Sequence, residues 1–276
     1  MENYFTEEQE QKIIELYTKE KRGQLYCAKA VGSTNVKKIK EVLRKYNIPI
    51  RNFSEATSES NKNRALYKNE NYFSTQSHNM AWLLGFLASD GTVSSSDNTI
   101  KIGLAAKDKE ILEKIKQEVE IENKIVEYTT NDGFDCVDLH WTCAKHKQQL
   151  AEYGITPNKT FTLKAPLNLS PEYYIDFIRG YFDGDGSVNL IQGKNLRWQI
   201  CSASKDILEW IVNTLYNQRS IPKVNIQSSN INRKSTYYYI QYSTNATKQI
   251  YYALYTPNSL FLKRKKDHFD EIVQMK

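Results

Sequence analysis

Cysteine and histidine are scarce in this chain. The four cysteines, Cys27, Cys136, Cys143 and Cys201, contain no Cys-x-x-Cys pair. A disulfide framework is therefore not expected, and a reducing cytoplasm fits the chain. The four histidines, His78, His140, His146 and His268, are dispersed, and no Ser-His-Asp or Cys-His set for covalent catalysis emerges. No apolar run reaches the ~18 residues of a membrane-spanning helix. The opening Met1-Glu2-Asn3-Tyr4-Phe5-Thr6-Glu7-Glu8 has neither the basic nor the apolar stretch of a secretory signal. What is present is ordinary in bulk: 40% hydrophobic and 25% charged residues over 276 positions, enough for a real core. A net charge of +6 favours a polyanionic partner. The 19 tyrosines are scattered and read mostly as half-buried packing.

The informative feature is a repeated segment. Leu83-Leu84-Gly85-Phe86-Leu87-Ala88-Ser89-Asp90-Gly91 returns 95 residues later as Ile178-Arg179-Gly180-Tyr181-Phe182-Asp183-Gly184-Asp185-Gly186. Gly85 and Ser89, like Gly180 and Gly184, share one helix face at i and i+4, where small residues let two helix backbones approach. Gly91 and Gly186 read as stops just past a helix end. Asp90 and Asp185 then fall at helix C-termini, where the macrodipole disfavours an anion. Two such carboxylates side by side also repel. A bound cation removes both penalties, and a site with few oxygen ligands suits Mg²⁺. A single Asp-Gly is usually a cap or turn; two copies in a duplicated unit favour the metal.

The duplication runs on. Lys109-Glu110-Ile111-Leu112-Glu113 matches Lys205-Asp206-Ile207-Leu208-Glu209 at an offset of 96, and Thr156-Pro157-Asn158-Lys159-Thr160-Phe161 matches Thr256-Pro257-Asn258-Ser259-Leu260-Phe261 at an offset of 100. Such drift is what loop insertions produce, and the period is too long for a solenoid unit. Two fused copies of a small α/β unit are expected. In the first, the pattern predicts a strand over 100–104, a helix over 108–119, a hairpin of 124–130 and 134–142 turning at Asn131-Asp132-Gly133, and a helix over 144–153. In the second, Ser170-Pro171 opens the motif helix. A strand over 197–202, a helix over 205–218, strands over 223–228 and 236–243 and a helix over 246–254 follow.

Residues 1–52 read as a separate all-α module. Thr6 with Gln9 resembles a capping box. A second helix stops at Gly32, and Ser33 or Thr34 caps a third over about 35–46. That third helix carries Lys37, Lys38, Lys40, Arg44 and Lys45 opposite its apolar positions. A short helix, a glycine turn and a basic helix resemble a helix-turn-helix DNA reader. Residues 53–77, rich in Ser, Asn, Glu and Lys, read as a linker with a short helix near 64–67.

The paired motif with its downstream repeats resembles the LAGLIDADG homing endonucleases in their single-chain, two-motif form, over roughly residues 79–276. The resemblance implies an α+β fold of two pseudo-symmetric αββαββα halves, residues 78–167 and 168–276, whose sheets form a DNA-binding saddle, with the helix-turn-helix domain preceding them. It implies metal binding at Asp90 and Asp185 with Gly91 and Gly186 beside them, and Mg²⁺ as the cofactor, replaceable by Mn²⁺. Basic residues around the metals are implied at Lys159, at Lys107 and, in Leu262-Lys263-Arg264-Lys265, at Lys263 or one of its neighbours. DNA contacts are implied at Lys101, Lys194, Arg197, Gln199, Arg233, Lys234 and Gln241, with Glu127 and His140 as further candidates, and at Lys37, Lys38, Lys40 and Arg44 in the N-terminal module.

The activity implied is a staggered, metal-dependent double-strand break in a long asymmetric duplex site, made by a monomeric hydrolase serving a mobile element such as an intron. A bacterial or phage-encoded cytoplasmic protein is expected, with an organellar origin also open. The alternatives are an RNA-splicing maturase that binds intron RNA, a transcriptional regulator, and a nicking enzyme. Two other metals are set aside. The stretch from Asp183 lacks the glycine and glutamate that a calcium loop needs at its sixth and twelfth positions, which are Val188 and Lys194. Cys136, His140, Cys143 and His146 fit no common zinc spacing.

Overall fold

The structure, a computed structural model, describes residues 5–52, 55, 69–193, 195–229, 236–256 and 259–274. The chain divides into two compact units, Met1–Leu66 and Tyr67–Lys276.

In the first unit, α1 (Glu7–Thr18) starts at the expected capping box. Thr6 Oγ1 accepts from the Gln9 N–H at 3.2 Å, and Gln9 Oε1 accepts from the Thr6 N–H at 3.0 Å. Helix α2 (Gln24–Ala30) ends in a turn through Gly32, at φ +75°, a conformation glycine adopts without penalty. Helix α3 (Val36–Lys45) is capped by neither Ser33 nor Thr34. Asn35 Oδ1 takes the Lys37 N–H at 3.0 Å, while Ser33 accepts from the Asn35 N–H one step earlier. Ile13, Cys27, Ala28, Ile39 and Leu43 are fully buried between the three helices. Glu10 is buried against them and accepts from Lys45 at 2.7 Å and Tyr46 at 2.9 Å, bonds that hold its carboxyl below the usual range. Arg51 closes the unit: it lies 4.0 Å from the Tyr17 ring centroid and donates to the carbonyls of Lys21 and Arg22.

The second unit is α+β and built twice. The first copy runs α4 (His78–Ser89), β1 (Gly91–Val93), β2 (Thr99–Ala105), α5 (Lys109–Val119), β3 (Val126–Thr129), β4 (Asp135–Thr142), α6 (Ala144–Glu152). The second runs α7 (Tyr174–Asp185), β5 (Gly186–Ile191), β6 (Asn195–Ser202), α8 (Lys205–Arg219), β7 (Gln227–Ser229), β8 (Tyr237–Ser243), α9 (Thr244–Leu254), and α10 (Lys263–Gln274) follows. Each copy is αββαββα, and the two antiparallel sheets have equivalent strand orders, β1-β2-β4-β3 and β5-β6-β8-β7.

Both middle helices end in a left-handed residue, Glu120 after α5 and Ser220 after α8, so even the exits repeat. One apolar core runs through both copies, with Ile100, Ile102, Leu139 and Trp141 on the inner face of the first sheet and Trp198, Ile200 and Ile240 on that of the second.

Several expectations need correction. Strands β1 and β5 follow the motif directly, as the αββαββα resemblance implies, although the residue pattern marked no strand there. The strand expected over 223–228 is only Gln227–Ser229, and α10 carries an amphipathic pattern that the repeat did not predict. Ser170 makes no side-chain cap; Pro171–Tyr173 forms a 3₁₀ turn ahead of α7. Tyr72 and Phe73, inside the stretch read as a linker, are buried in the core. The helix expected near 64–67 lies outside the described residues.

Candidate functional site

The site begins with the contact between α4 and α7. A Cβ placed on Gly85 would lie 2.0 Å from the Phe177 carbonyl oxygen, and one on Gly180 would lie 1.9 Å from the Trp82 carbonyl oxygen. Trp82 and Phe177 are themselves 95 apart, so the contact is reciprocal about a local twofold. The second small pair, Ser89 and Gly184, is as tight: a Cβ on Gly184 would collide with Ser89 Oγ at 1.9 Å. No side chain fits at these three positions without moving backbone or its partner helix.

This contact sets the acids together. Asp90 caps α4 and Asp185 ends α7. Asp90 Cγ lies 3.2 Å from the Cβ position of Gly184, the residue before Asp185. Gly91 and Gly186 are not left-handed stops: Gly186 has φ −86° and opens β5, and Gly91 opens β1. They are glycine for space, since a Cβ would lie 2.6 Å from the Leu87 carbonyl oxygen or the equivalent Phe182 carbonyl oxygen.

Two lysines face the helix ends. Lys159, buried, donates to the Gly91 carbonyl. Lys265 donates to the carbonyls of Phe182 at 2.8 Å, Gly184 at 2.6 Å and Gly186 at 2.7 Å. The Gly91 and Gly186 carbonyls are therefore each engaged by an ammonium group. Burial pushes both carboxyls up, Asp185 to about 6 with the Asp90 charge as second cause; Lys265 and Lys159 oppose the rise in both. Asp185 is open to solvent yet crowded by protein on its other sides. Burial also pulls both lysines down, Lys265 to about 8, against the pull of the acids.

The two copies differ in detail. The Tyr181 hydroxyl lies 3.0 Å from Ser202 Oγ and also hydrogen-bonds with Asp185. Its counterpart in α4 is Phe86, which has no hydroxyl. Asp183 is fully buried, where the first copy has Ala88. It accepts from Trp82 Nε1–H at 2.8 Å and the Leu262 N–H at 2.9 Å, and burial raises it to about 6.

The other predicted residues fall elsewhere. Lys263 is exposed and pairs with Asp267 along α10, so Lys265, and not Lys263, reaches the helix end that carries Asp185. Lys107 is exposed on the rim of a 440 Å³ cleft shared with Asp108 and Arg264. Register fixes the sheet faces. Lys101 pairs across with His140, and Gln199 with Gln241, so each pair shares the face turned away from the core. Lys101 is bound to Asp138 at 2.6 Å. Gln241 donates to Gln199 Oε1 at 2.7 Å, and Arg197 lies one step along the same face. Glu127 pairs with Val137 on the opposite side and accepts from Lys109. In α3, Lys37 and Arg44 are exposed and Lys38 and Lys40 half-buried. Lys194, Arg233 and Lys234 lie outside the described residues. Cys136 and His140 alternate on the open face of β4, whereas Cys143 caps α6 and His146 is buried against Trp141.

A family model described as a LAGLIDADG-like domain matches residues 77–154 and 172–253. The chain belongs to the LAGLIDADG-like family. The two matched stretches are the two structural copies, and each includes one glycine-bearing helix and one of the paired acids. Among solved structures, this LAGLIDADG-like chain is similar to the N-terminal LAGLIDADG domain of DUF199/WhiA, at 16% identity over 82% of this chain and 98% of that one, with a TM-score of 0.44. It is similar to the homing endonuclease I-WcaI bound to its DNA recognition sequence, at 12% identity over 80% of this chain and 96% of that one, TM-score 0.47. It is also similar to I-DmoI in complex with DNA and Ca, at 15% identity over 74% of this chain and 100% of that one, TM-score 0.47. No curated protein matches it in sequence.

The donor set fits a hard divalent cation. Two adjacent carboxylates, both destabilised as anions by burial, and backbone carbonyls at two helix C-termini are oxygen ligands that favour positive charge. Among the described residues, no group of three or more His, Cys, Asp or Glu side chains is arranged around a metal site; the carbonyls of Gly91 and Gly186, expected beside the metal, are held by Lys159 and Lys265, so solvent would complete most of the shell. Sequence reasoning missed Tyr181 as part of this region. The repeat set Ser259 opposite Lys159, so Lys265 was offered only as one of three basic residues in Leu262-Lys263-Arg264-Lys265, and the structure selects it.

Proposed function

We propose that the chain is a monomeric, Mg²⁺-dependent, site-specific DNA endonuclease of the homing type, with Mn²⁺ able to replace Mg²⁺. The observation that carries this reading is the pairing of Asp90 with Asp185 by a reciprocal glycine contact, with one lysine at each acidic helix end. Asp90 and Asp185 would hold the metal. When bound, Mg²⁺ supplies charge neutralisation at a phosphodiester.

The chain's own residues supply the rest. Lys159 and Lys265 keep their ammonium groups fixed on backbone carbonyls, so positive charge stands beside the acids without needing to reorganise. Tyr181 orients Asp185 through its hydroxyl. The open faces of the two sheets would lie against the duplex, with Arg197, Gln199 and Gln241 from one and Lys101 and His140 from the other reaching the major groove. The N-terminal unit would read or grip flanking DNA through Lys37, Lys38, Lys40 and Arg44 as a helix-turn-helix. The product would be a staggered double-strand break in a long asymmetric site.

The test is a plasmid carrying the rejoined flanks of the locus that harbours the gene. Purified chain is expected to linearise it with Mg²⁺ and not with EDTA. Asp90→Asn and Asp185→Asn should each lower cutting by about a thousandfold or more while DNA binding stays within about threefold. Cutting by both variants at the parental rate would refute the assignment of the acids.

A further inference from the structure

The two lysine-bearing segments are each gripped from the opposite copy. Asp108 and Ser204 occupy equivalent positions, 96 apart, as the residues immediately before α5 and α8. Asp and Ser at that position ordinarily accept from their own helix's first N–H groups. Neither does so here. Both are buried, and both side chains cross to the other copy.

Asp108, in the first copy, takes the Arg264 guanidinium as a fork: Nε lies 3.1 and 3.2 Å from its two oxygens and Nη2 lies 3.0 Å from Oδ2. Arg264 is the residue before Lys265. Ser204, in the second copy, donates to the Leu163 carbonyl at 2.5 Å, and the Leu163 N–H returns to the Lys159 carbonyl at 2.9 Å. The chemistry differs, an ion pair on one side and a hydroxyl on the other, but the connection is the same. We propose that Asp108 and Ser204 are positioning residues: each pins, from one copy, the segment whose lysine closes the motif-helix end of the other.

The consequence rests on the nuclease reading. Each strand's cut would then depend on a contact made by the opposite copy, and the copies could not be separated without losing both lysines' alignment. Asp183 adds a second anchor on one side only, holding the Leu262 N–H three residues before Lys265. The Lys159 segment has no equivalent carboxylate, because that position of α4 is Ala88.

Hydrogen exchange read by mass spectrometry on the full-length chain tests the bracing without DNA or metal. Ser204→Ala should speed exchange in residues 159–163 by about fivefold and leave 262–266 unchanged. Asp108→Ala should do the reverse, and the charge-exchanged pair Asp108→Arg with Arg264→Asp should restore protection. Loosening confined to the start of α5 or α8 would overturn the proposal, since that is what loss of an ordinary cap predicts. Should an alanine variant not fold, Asp108→Asn and Ser204→Thr take its place: altered exchange in the far segment supports the bracing, and intact protection there refutes it.

A strand-labelled duplex carrying the rejoined flanks of the source locus gives the second readout. Each variant should slow one strand's cut about tenfold more than the other's, and equal slowing of both would overturn the strand assignment. If the parent chain cuts neither strand, the nuclease reading fails while the exchange result still decides the bracing.

Discussion

At the residue scale, space and charge act at different positions. Gly85 and Gly180 serve space alone. Gly85→Ala would drive a methyl group into the Phe177 carbonyl, which packed backbone cannot yield cheaply. It is expected to lower unfolding free energy by about 2–3 kcal/mol, read from the urea midpoint, and the reciprocal Gly180→Ala should match it. Charge acts at Lys265. Removing its ammonium leaves three carbonyls at the end of α7 without that donor. Lys265→Met should therefore lower stability by about 2 kcal/mol. Lys263→Met, which removes only a solvent-facing pair with Asp267, should leave the urea midpoint in place.

At the element scale, α6 ties the segment around Asn69 to the first copy. The buried His146 accepts from Trp141 Nε1–H at 3.0 Å on Nδ1 and faces the Asn69 carbonyl at 2.9 Å with Nε2, so the ring is neutral with Nε2 protonated. Burial holds its pKa below the ordinary 6.5. A lowered folded-state pKa means that the unfolded chain binds the proton first. Stability is full above pH 6.5 and declines as pH falls below it. Asp183 and Asp185, raised to about 6, act in the opposite sense over this range, so His146 is read by difference: between pH 7.5 and pH 5 the urea midpoint of the parent should shift downward relative to that of His146→Gln. Conformational choices at this scale were mostly readable: the capping box of α1, the turn at Gly32 and the hairpin turn before β4 follow from local residue chemistry. Strands β1 and β5 were not readable from the residue pattern, because each opens on a glycine, Gly91 or Gly186, that reads as a helix stop.

At the whole-molecule scale, the second unit has its own continuous core and the first a separate small one. Residues 69–276 alone are expected to unfold in one cooperative transition by circular dichroism, within a few degrees of the intact chain's main transition. Under the nuclease reading, that truncation should still cut, but bind DNA more weakly and with a shallower salt dependence. The slope of log K against log salt should fall by about 0.9 for each phosphate that α3 neutralises in the intact chain. An unchanged slope would remove α3 from the DNA interface. Among the described residues, no helix is long and apolar enough to cross a membrane.

Taken alone, the sequence determined the twofold repetition, the helices that carry Asp90 and Asp185, and the family to which the chain belongs. Those features are written in local periodicity and in a duplicated pattern, which survive without knowledge of contacts. The tertiary structure decided which basic residue meets which acid. Lys265 reaches α7 because the core places α10 beside it, Lys101 is matched by Asp138 across a strand pair, and Asp108 finds Arg264 from 156 residues away. Such pairings depend on packing distances between remote segments, and spacing along the chain carries no record of them.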